Sequence, residues 1–594
     1  MNLPLLSETG AEGRYPVNYY LEIETEDGQP ALVGTPGTKV FDVAWAELVT
    51  NGTFDSNITG WNNDGVAPYE TLEWQSGKLH AVNTTNTGFV NSDDNISVTA
   101  GRLYKITFDL DISSGQGPGC IMARAIRGDR LCTMFEIGDG TNGSHVFYWT
   151  PTTTENVLFE AVVNQNSDFT LDNVSIQEIV TGQPVRNLNV MGDYLYVVCG
   201  NTFYQVDSSG AATSKGTINS TTGYVWIENN GLQVMVVDSV TNEGYIYTLS
   251  NDTFAQITDA DFPGAGSLTY QDGYFIITQP DTDYVFLSDI NDGTSWDALK
   301  YAAAEGDPGN LVAVLSDHRE LFVFGENASE VWWNSGASYP FDRREGVYLE
   351  VGLGAAASLA KVDNSVFWLD DKGMVRRLHG YDPEFVSTRR LEKIIAGYST
   401  VSDAIGFGYV DQGHSFYQLT FPTANATWCY DTATKRWHER TSYPGSNRHR
   451  ANCYAYFNRK HIIGDYENGK LYELDHDTYT DNSETVQRVH VFPKVRADRF
   501  HRLRINFKSG TGLVTGQGSD PQAMLDWSDD DCRTWSNEHW ADIGEIGEYT
   551  RRSVWYQMGR SESGFRNYRV TVSDPVELVI RSADLKATRN GRKI

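Results

Sequence analysis

The densest run of side chains able to do chemistry is SDDDCRTW, residues 528–535, where Asp529, Asp530 and Asp531 stand together ahead of Cys532. Paired carboxylates perform acid and base catalysis when their surroundings drive their pKa values apart. These lie among Ser, Arg and Thr in a turn-forming stretch, where solvated charge and local hydrogen bonds are the expected state. Other reactive types are dispersed. The 12 histidines include a local pair, His449 and His461, without metal-ligand spacing. The six cysteines (Cys120, Cys132, Cys199, Cys429, Cys453, Cys532) form no Cys-x-x-Cys pair, which fits reduced, mostly buried thiols and makes zinc unsuitable. Cys120 and Cys132 could still meet across neighbouring strands. No Gly-x-Ser-x-Gly, His-Glu-x-x-His or phosphate-binding Gly-x-x-x-x-Gly-Lys occurs. GLGAAAS at Gly352 lacks the spacing of a dinucleotide turn and reads as a connecting segment.

These residues must be carried by several cores. At 594 residues the chain exceeds the roughly 250–300 at which a single core stops growing, so two to four domains are expected. A hydrophobic fraction of 40% with 12% aromatics is ample for burial, and the apolar runs are far shorter than the roughly 20 residues of a membrane span. The start, MNLPLLSETGAEGRYP, has no basic segment followed by an apolar run, which predicts synthesis into a cytoplasm. Asn-x-Ser/Thr triplets such as those at Asn51, Asn57, Asn83 and Asn173 then read as turn composition. A net charge of −31 excludes wrapping a nucleic-acid backbone, which needs clustered Lys and Arg. It is compatible with DNA sliding past an acidic wall.

From about Val185 to Asp481 one pattern recurs: turn, aromatic-rich alternating strand, turn, second such strand. The instances are GDYLYVVCGNTFYQVDSSG, NGLQVMVVDSVTNEGYIYTLSND, QDGYFIITQPDTDYVFLSDIND, HRELFVFGENASEVWWNSG, DNSVFWLDDKGMVRRLHG, HSFYQLTFPTANATWCYDTATKRW and CYAYFNRKHIIGDYENGKLYELD. A spacing of about 40–50 residues is that of a four-stranded propeller blade, so an all-β fold with a β-propeller of six to seven blades is expected, with a set of β-sandwiches as the alternative. Helix is scarce. The clearest candidate is RRLEKIIAGYS from Arg389, where Leu391, Ile394 and Ile395 recur at helical spacing. After Thr485 the period breaks, and HRLRINFKSG, AMLDWSDDDCRTWS, RRSVWYQMGR and FRNYRVTVSDPVELVIRSADL read as strands of a separate β-sandwich over 485–594. Within it, SDDDCRTW resembles the Asp-box hairpin, Ser-x-Asp-x-Gly-x-Thr-Trp, with Cys532 in the Gly position. In families that carry the box it is a structural turn.

Residues 48–179 have a different character. LVTNGTFDSNITGW, ISVTAGRLYKITFDLDIS and FTLDNVSIQEI stand in the order found in carbohydrate-binding modules of the jelly-roll type, which the segment resembles. In YKITFDLDI, Tyr104, Ile106, Phe108 and Leu110 point to one face and Lys105, Thr107, Asp109 and Asp111 to the other, the pattern of a half-buried sandwich strand. The resemblance implies a structural calcium with Asp55 and Asp172 as its carboxylates, the remaining oxygens coming from the backbone. A sugar site would stack a ring on an aromatic face, for which Tyr69, Trp74, His80 and Tyr148 are the candidates. Trp61, beside its Gly, is expected in the core.

With 48–179 set aside, the remaining chain resembles the packaged-DNA stabilisation, or tail hub, proteins of short-tailed bacteriophages. The similarity runs from YPVNYYLEI and ALVGTPG through FLSDINDGTSWDALKYAAAEGDPGNLVAVLSDHRELFVFGENASEVWWNSG and LEKIIAGYS to VWYQMGR with FRNYRVTVSDPVEL. It implies a propeller hub built from 1–47 and 180–484 and a non-enzymatic virion role: a sixfold ring below the portal and adaptor that continues the DNA channel, seats the needle or plug, and holds tailspikes or fibres. Assembly would occur in the host cytoplasm. The insert departs from that pattern, and its place in an exposed loop puts it outside the ring, where it could meet a host surface glycan or a neighbouring tail protein. A glycan-binding adhesin on a propeller scaffold is the alternative. A propeller glycosidase is a further one, for which no residue is nominated.

Overall fold

The computed structural model describes residues 1–5, 15–23, 30–41, 43, 48–49, 51–63, 71–83, 88–92, 96–98, 103–115, 120–125, 142–149, 155–163, 167–179, 183–306, 308–442, 447–589 and 591–593. Among these, strands dominate, and the one α-helix is Arg389–Ile395. It is capped by Thr388, whose hydroxyl accepts from the Leu391 N–H at 3.2 Å. Leu391 and Ile395 are buried, as their spacing predicts. No helix is long and apolar enough to cross a membrane.

Seven blades form the propeller. Six are consecutive four-stranded antiparallel sheets over 185–217, 225–256, 267–303, 311–349, 360–385 and 405–439. The seven quoted repeats supply the central strands of the seven blades. The first strand of each blade faces the axis, and in successive blades these strands approach one another. Polar side chains on these inner strands stitch one blade to the next. Asn187 and Asn189 donate to the Val225 and Ile227 carbonyls at 2.8 and 3.0 Å. Ser267 and Thr269 accept from the Val314 and Ser316 amides at 3.1 and 3.0 Å. Asn452 donates to Val185 O at 2.9 Å, joining blade seven to blade one. Between blades five and six the backbones come closer still: a Cβ at Gly406 would stand 2.3 Å from Ser358 O.

The seventh blade is completed from the other end of the sequence. Its strands Ala451–Phe457, Lys460–Asp465 and Leu471–Asp475 are followed in the sheet by Gly37–Val40, which pairs antiparallel with Leu471–Asp475. A buried network fixes this closing strand. The Thr38 hydroxyl donates to Asp481, Arg450 Nε donates to the same carboxylate at 2.9 Å, and Arg450 Nη1 reaches Asp465 at 2.7 Å. Opposite charges buried together offset the desolvation that each would otherwise suffer, whereas removing one partner typically costs about 3–5 kcal/mol.

The residues just before the closing strand belong to another body. Tyr19–Glu22 and Ala31–Gly34 form a hairpin that pairs with Val579–Arg589, in the sheet with Arg499–Phe507 and Ser553–Tyr556. The opposing sheet holds Arg488–Val491, Phe565–Val572, Gln522–Ser528 and His539–Asp542. Tyr19, Leu32, Leu503, Ile505, Tyr568 and Val570 lie in the core between them. The assignment of 1–47 to the propeller is therefore corrected: the strands Asn2–Leu3, Tyr19–Glu22 and Ala31–Gly34 belong to the C-terminal sandwich, and among the described residues of the N-terminal segment the propeller takes the strand Gly37–Val40. YYLE and ALVG are short apolar strands that fit either sheet, and a partner at the far end of the chain leaves no local mark on them. An ion pair ties the two bodies. His414 of blade six lies 2.9 Å from Asp431 and 3.1 Å from Glu22 of the hairpin.

The segment after residue 48 is a separate antiparallel sandwich. One sheet orders Gly143–Trp149, Leu103–Gly115, Ser167–Ile179, Lys78–Asn83 and Thr71–Gln75; the other contains Cys120–Ala125, Glu155–Val163, Gly88–Ser92 and Trp61–Asn63. Tyr104, Ile106, Phe108 and Leu110 are buried and Asp111 is exposed, as the alternation requires. The ends of the unit meet, with Leu48 N–H on Ile176 O at 2.9 Å.

Gly37→Ala would bring a Cβ to 2.3 Å from Thr478 O and 2.5 Å from Thr480 O; it is expected to lower unfolding stability by about 1–3 kcal/mol, read by urea denaturation. The Asp431 hydrogen bond and the attraction of Glu22 raise His414 from its usual 6.5 to about 8. A raised folded pKa stabilises fully below the unfolded value and fades as pH rises through the folded one, so about 2 kcal/mol should be lost between roughly pH 6.5 and 8. His414→Gln should flatten that slope.

Candidate functional site

In the insert, Gly52 to Trp61 show why the opening motif has its residues. A Cβ at Gly52 would stand 1.8 Å from Val174 O, so only glycine lets the entry loop lie against the last strand. Asn51 adopts a left-handed φ of 54° and its amide donates to Thr59 O at 2.9 Å. Phe54 is fully buried and meets Trp61 edge to face at 5.1 Å; Trp61 in turn meets Phe159 at 5.7 Å. These aromatics are core.

The glycan candidates are not gathered into one platform. Tyr69 lies outside the described residues. Trp74 pairs with Leu79, so it sits on the core-facing side of an edge strand, with its indole N–H on Phe54 O at 2.6 Å. It is nevertheless 43% exposed. His80 pairs with Glu73 and is therefore on the opposite face, held by Asp168 at 3.0 Å and Glu73 at 3.4 Å. Tyr148 pairs with Lys105 at the far edge of the sheet, three strands from His80, roughly 14 Å away at the usual strand spacing. Sequence spacing conveyed the residue types but not the strand order that separates them.

Asp55 and Asp172 do lie within each other's electrostatic reach. Burial raises the Asp172 carboxyl, and Asp109 and Asp55 add to that against Lys78. Asp109 is the cross-strand neighbour of Asp172 and escaped notice in the sequence because it reads as an outward strand position. One oxygen of each carboxylate is engaged locally: Asp172 accepts from the Asn173 N–H at 2.8 Å, Asp109 from the Asn173 amide at 2.7 Å and Asp55 from the Thr53 hydroxyl at 3.0 Å. Among the described residues no three His, Cys, Asp or Glu side chains are gathered to hold a metal. Calcium takes six to eight oxygens, so with Asp55 and Asp172 the remainder would have to come from backbone carbonyls.

The carboxylates of the Asp-rich turn are engaged in local hydrogen bonds and ion pairs. Asp530 accepts from the Arg533 and Thr534 amides at 3.0 and 2.9 Å and from the Thr534 and Ser528 hydroxyls at 2.6 and 2.7 Å. These bonds hold its carboxyl far below the usual range. Asp529 is paired with the buried Arg566 at 2.7 Å. Cys532 occupies a left-handed φ of 66°, which accounts for glycine at that position in the Asp-box pattern. His449 is buried, which drives its imidazole well below 6.5, while His461 bonds the Tyr454 hydroxyl at 2.9 Å. The thiols of Cys199 and Cys429 are buried and pushed up to about 12, which makes them inert. Cys132 is outside the described residues.

Along the propeller axis, Glu228 on the inner strand of blade two is ringed by protein, which pushes its carboxyl up to about 7, and Lys361 of blade five acts on it from across the ring. At one mouth of the axis a cavity of about 420 Å³ is lined by Lys361, Val410, Tyr454, Tyr456 and His461. At the other, a cavity of about 450 Å³ includes Tyr224, Trp226, Asp403, Arg448 and Tyr466. Neither holds the nucleophile, base and orienting group of a catalytic constellation.

A seven-bladed propeller closed by the N-terminal segment and joined to a C-terminal β-sandwich defines the architecture of a class of proteins. The sequence comparisons specify which class. A family described as bacteriophage P22 Gp10, beta-propeller, matches residues 137–479, and its companion, bacteriophage P22 Gp10, beta-sandwich, matches residues 487–588. The chain belongs to the bacteriophage P22 Gp10 family, structural tail proteins of the phage virion. The curated proteins contain no match. Similar solved structures include virginiamycin B lyase from Staphylococcus aureus (11% identity, TM-score 0.35, covering 49% of this chain and 94% of that one). The WD40 beta propeller domain of Doa1 is similar at 12% identity and TM-score 0.33, covering 50% of this chain and 96% of that one.

Because a left-handed residue with a Cβ costs roughly 1–2 kcal/mol relative to glycine, Cys532→Gly is expected to stabilise the C-terminal sandwich by about 1 kcal/mol in thermal or urea melts.

Proposed function

We propose that this chain is the hub of a short-tailed virion, a non-enzymatic ring subunit that joins the portal and adaptor to the tail needle and to tailspikes or fibres. In this role copies of the chain form a sixfold ring that continues the DNA channel and helps retain the packaged genome. The observation that carries the reading is the succession of the two Gp10 matches, over 137–479 and 487–588, which together take in the propeller and the sandwich. Electrostatics supports it. A wall with net charge −31 repels the DNA backbone and lets it pass, whereas a basic one would bind it through counterion release.

The insert is the peripheral part of this assembly. Its ends meet at Leu48 and Ile176, so it can be accommodated in a loop at the cost of one short connection. Outside the ring it contacts a host surface glycan or a neighbouring tail protein, with exposed Trp74 the best-presented aromatic.

Purified chain mixed with adaptor-bearing connectors is expected to co-sediment as a ring, and deletion of residues 48–179 should leave that association intact. A chain that stays monomeric and unbound contradicts the hub. Loss of association on deletion would place the insert in the ring interface. Glycan-array binding abolished by Trp74→Ala, without incorporation into particles, would favour adhesion as the main task.

A further inference from the structure

A set of buried cations lies where the N-terminal segment passes between propeller and sandwich. Val17 bridges Glu439 on one side and Val489 on the other, and the Asn18 amide donates to Thr441 Oγ1 and Gln487 O, both at 2.9 Å. Arg440 and Arg488 therefore flank the same few residues, and each is only 1% exposed. Arg440 spends Nη1 on the Tyr409 hydroxyl at 3.1 Å and Nη2 on Pro36 O at 3.2 Å, but among the described residues its Nε has no acceptor. Among the same residues Arg488 Nε and Nη1 have none, nor has the hydroxyl of the fully buried Tyr19 a partner.

The surroundings do not compensate. The charged and titratable groups acting on Arg488 are Tyr19, Tyr479 and Arg440, two phenols and a second cation. Asp411, which feels Arg440, is bound by His476 at 2.7 Å. Next along the same strands, His438 and His490 are buried, and burial lowers both imidazoles to about 3, so they stay neutral. An arginine cannot shed its proton to escape burial, and a buried charge without a partner is strongly destabilising. The wall beside the guanidinium is close: a Cβ at Gly34 would stand 2.7 Å from Arg488 Nε.

We propose that Arg488, Arg440 Nε and the Tyr19 hydroxyl bind a buried halide ion, which neutralises the joint and holds the N-terminal segment between propeller and sandwich. Unpaired donors from three segments packed about the same stretch, residues 17–36, call for an anion, and the close wall favours a monatomic one over an oxyanion.

The test is thermal melting of the full chain in the sodium salts of chloride, bromide, phosphate and gluconate at matched ionic strength, together with anomalous diffraction from a bromide-soaked crystal. Chloride and bromide are expected to raise Tm above gluconate and phosphate, Arg488→Met to abolish that difference, and a bromide peak to appear beside Arg488 Nε. If Arg488→Met does not fold, Tyr19→Phe keeps both cations and should shrink the halide-dependent shift. Equal melting in all four salts with no bromide peak overturns the site. A rise in phosphate alone overturns the halide assignment.

Discussion

A propeller is a ring of sheets, and a ring is only as stable as the contact that closes it. Here that contact is the pairing of Gly37–Val40 with Leu471–Asp475, two segments more than 430 residues apart in sequence. Closing so long a loop is entropically unfavourable, and the Thr38, Asp481, Arg450 and Asp465 network supplies the compensating interactions in a site shielded from water. The same stretch of chain runs back into the sandwich hairpin and forward, through Phe41, into the insert. One short strand thus sits at the junction of three bodies. Such a joint restrains the bodies, because interfaces between independent domains are otherwise the default place for motion.

Three buried carboxylates are paired with guanidinia: Asp238 with Arg186, Asp370 with Arg376, Asp465 with Arg450. The first joins a strand of blade one to a strand of blade two, and the other two act within blades five and seven. Removing one partner of such a buried pair is strongly destabilising, so each pair holds its segments in place.

Much of this was legible in the sequence. The repeated hairpins announced the blades because each blade is a local antiparallel unit whose turns and alternation are written in contiguous residues. YKITFDLDI gave its buried face by period alone, Arg389–Ile395 its helix, and SDDDCRTW its turn. What local pattern could not convey was partnership across long separations. Tyr19–Glu22 carries no mark that it joins Val579–Arg589 by way of Ala31–Gly34, so the division of the N-terminal segment was missed. The candidate sugar-binding residues were scattered for the same reason, since strand order puts Trp74 and His80 on opposite faces. Arg440 and Arg488 are inconspicuous in sequence, because an arginine in a strand reads as exposed until the strand on either side is known.

The central claim is that the closing strand makes propeller and sandwich one cooperative unit. Native-state hydrogen exchange measures this directly. Amides of Gly37–Val40 and Leu471–Asp475 are expected to exchange only with global unfolding, at the same free energy as the inner strands of blade seven and the Val579–Arg589 strand. Rapid exchange of Gly37–Val40 while the other strands of blade seven stay protected would contradict it, showing a ring held shut by something else.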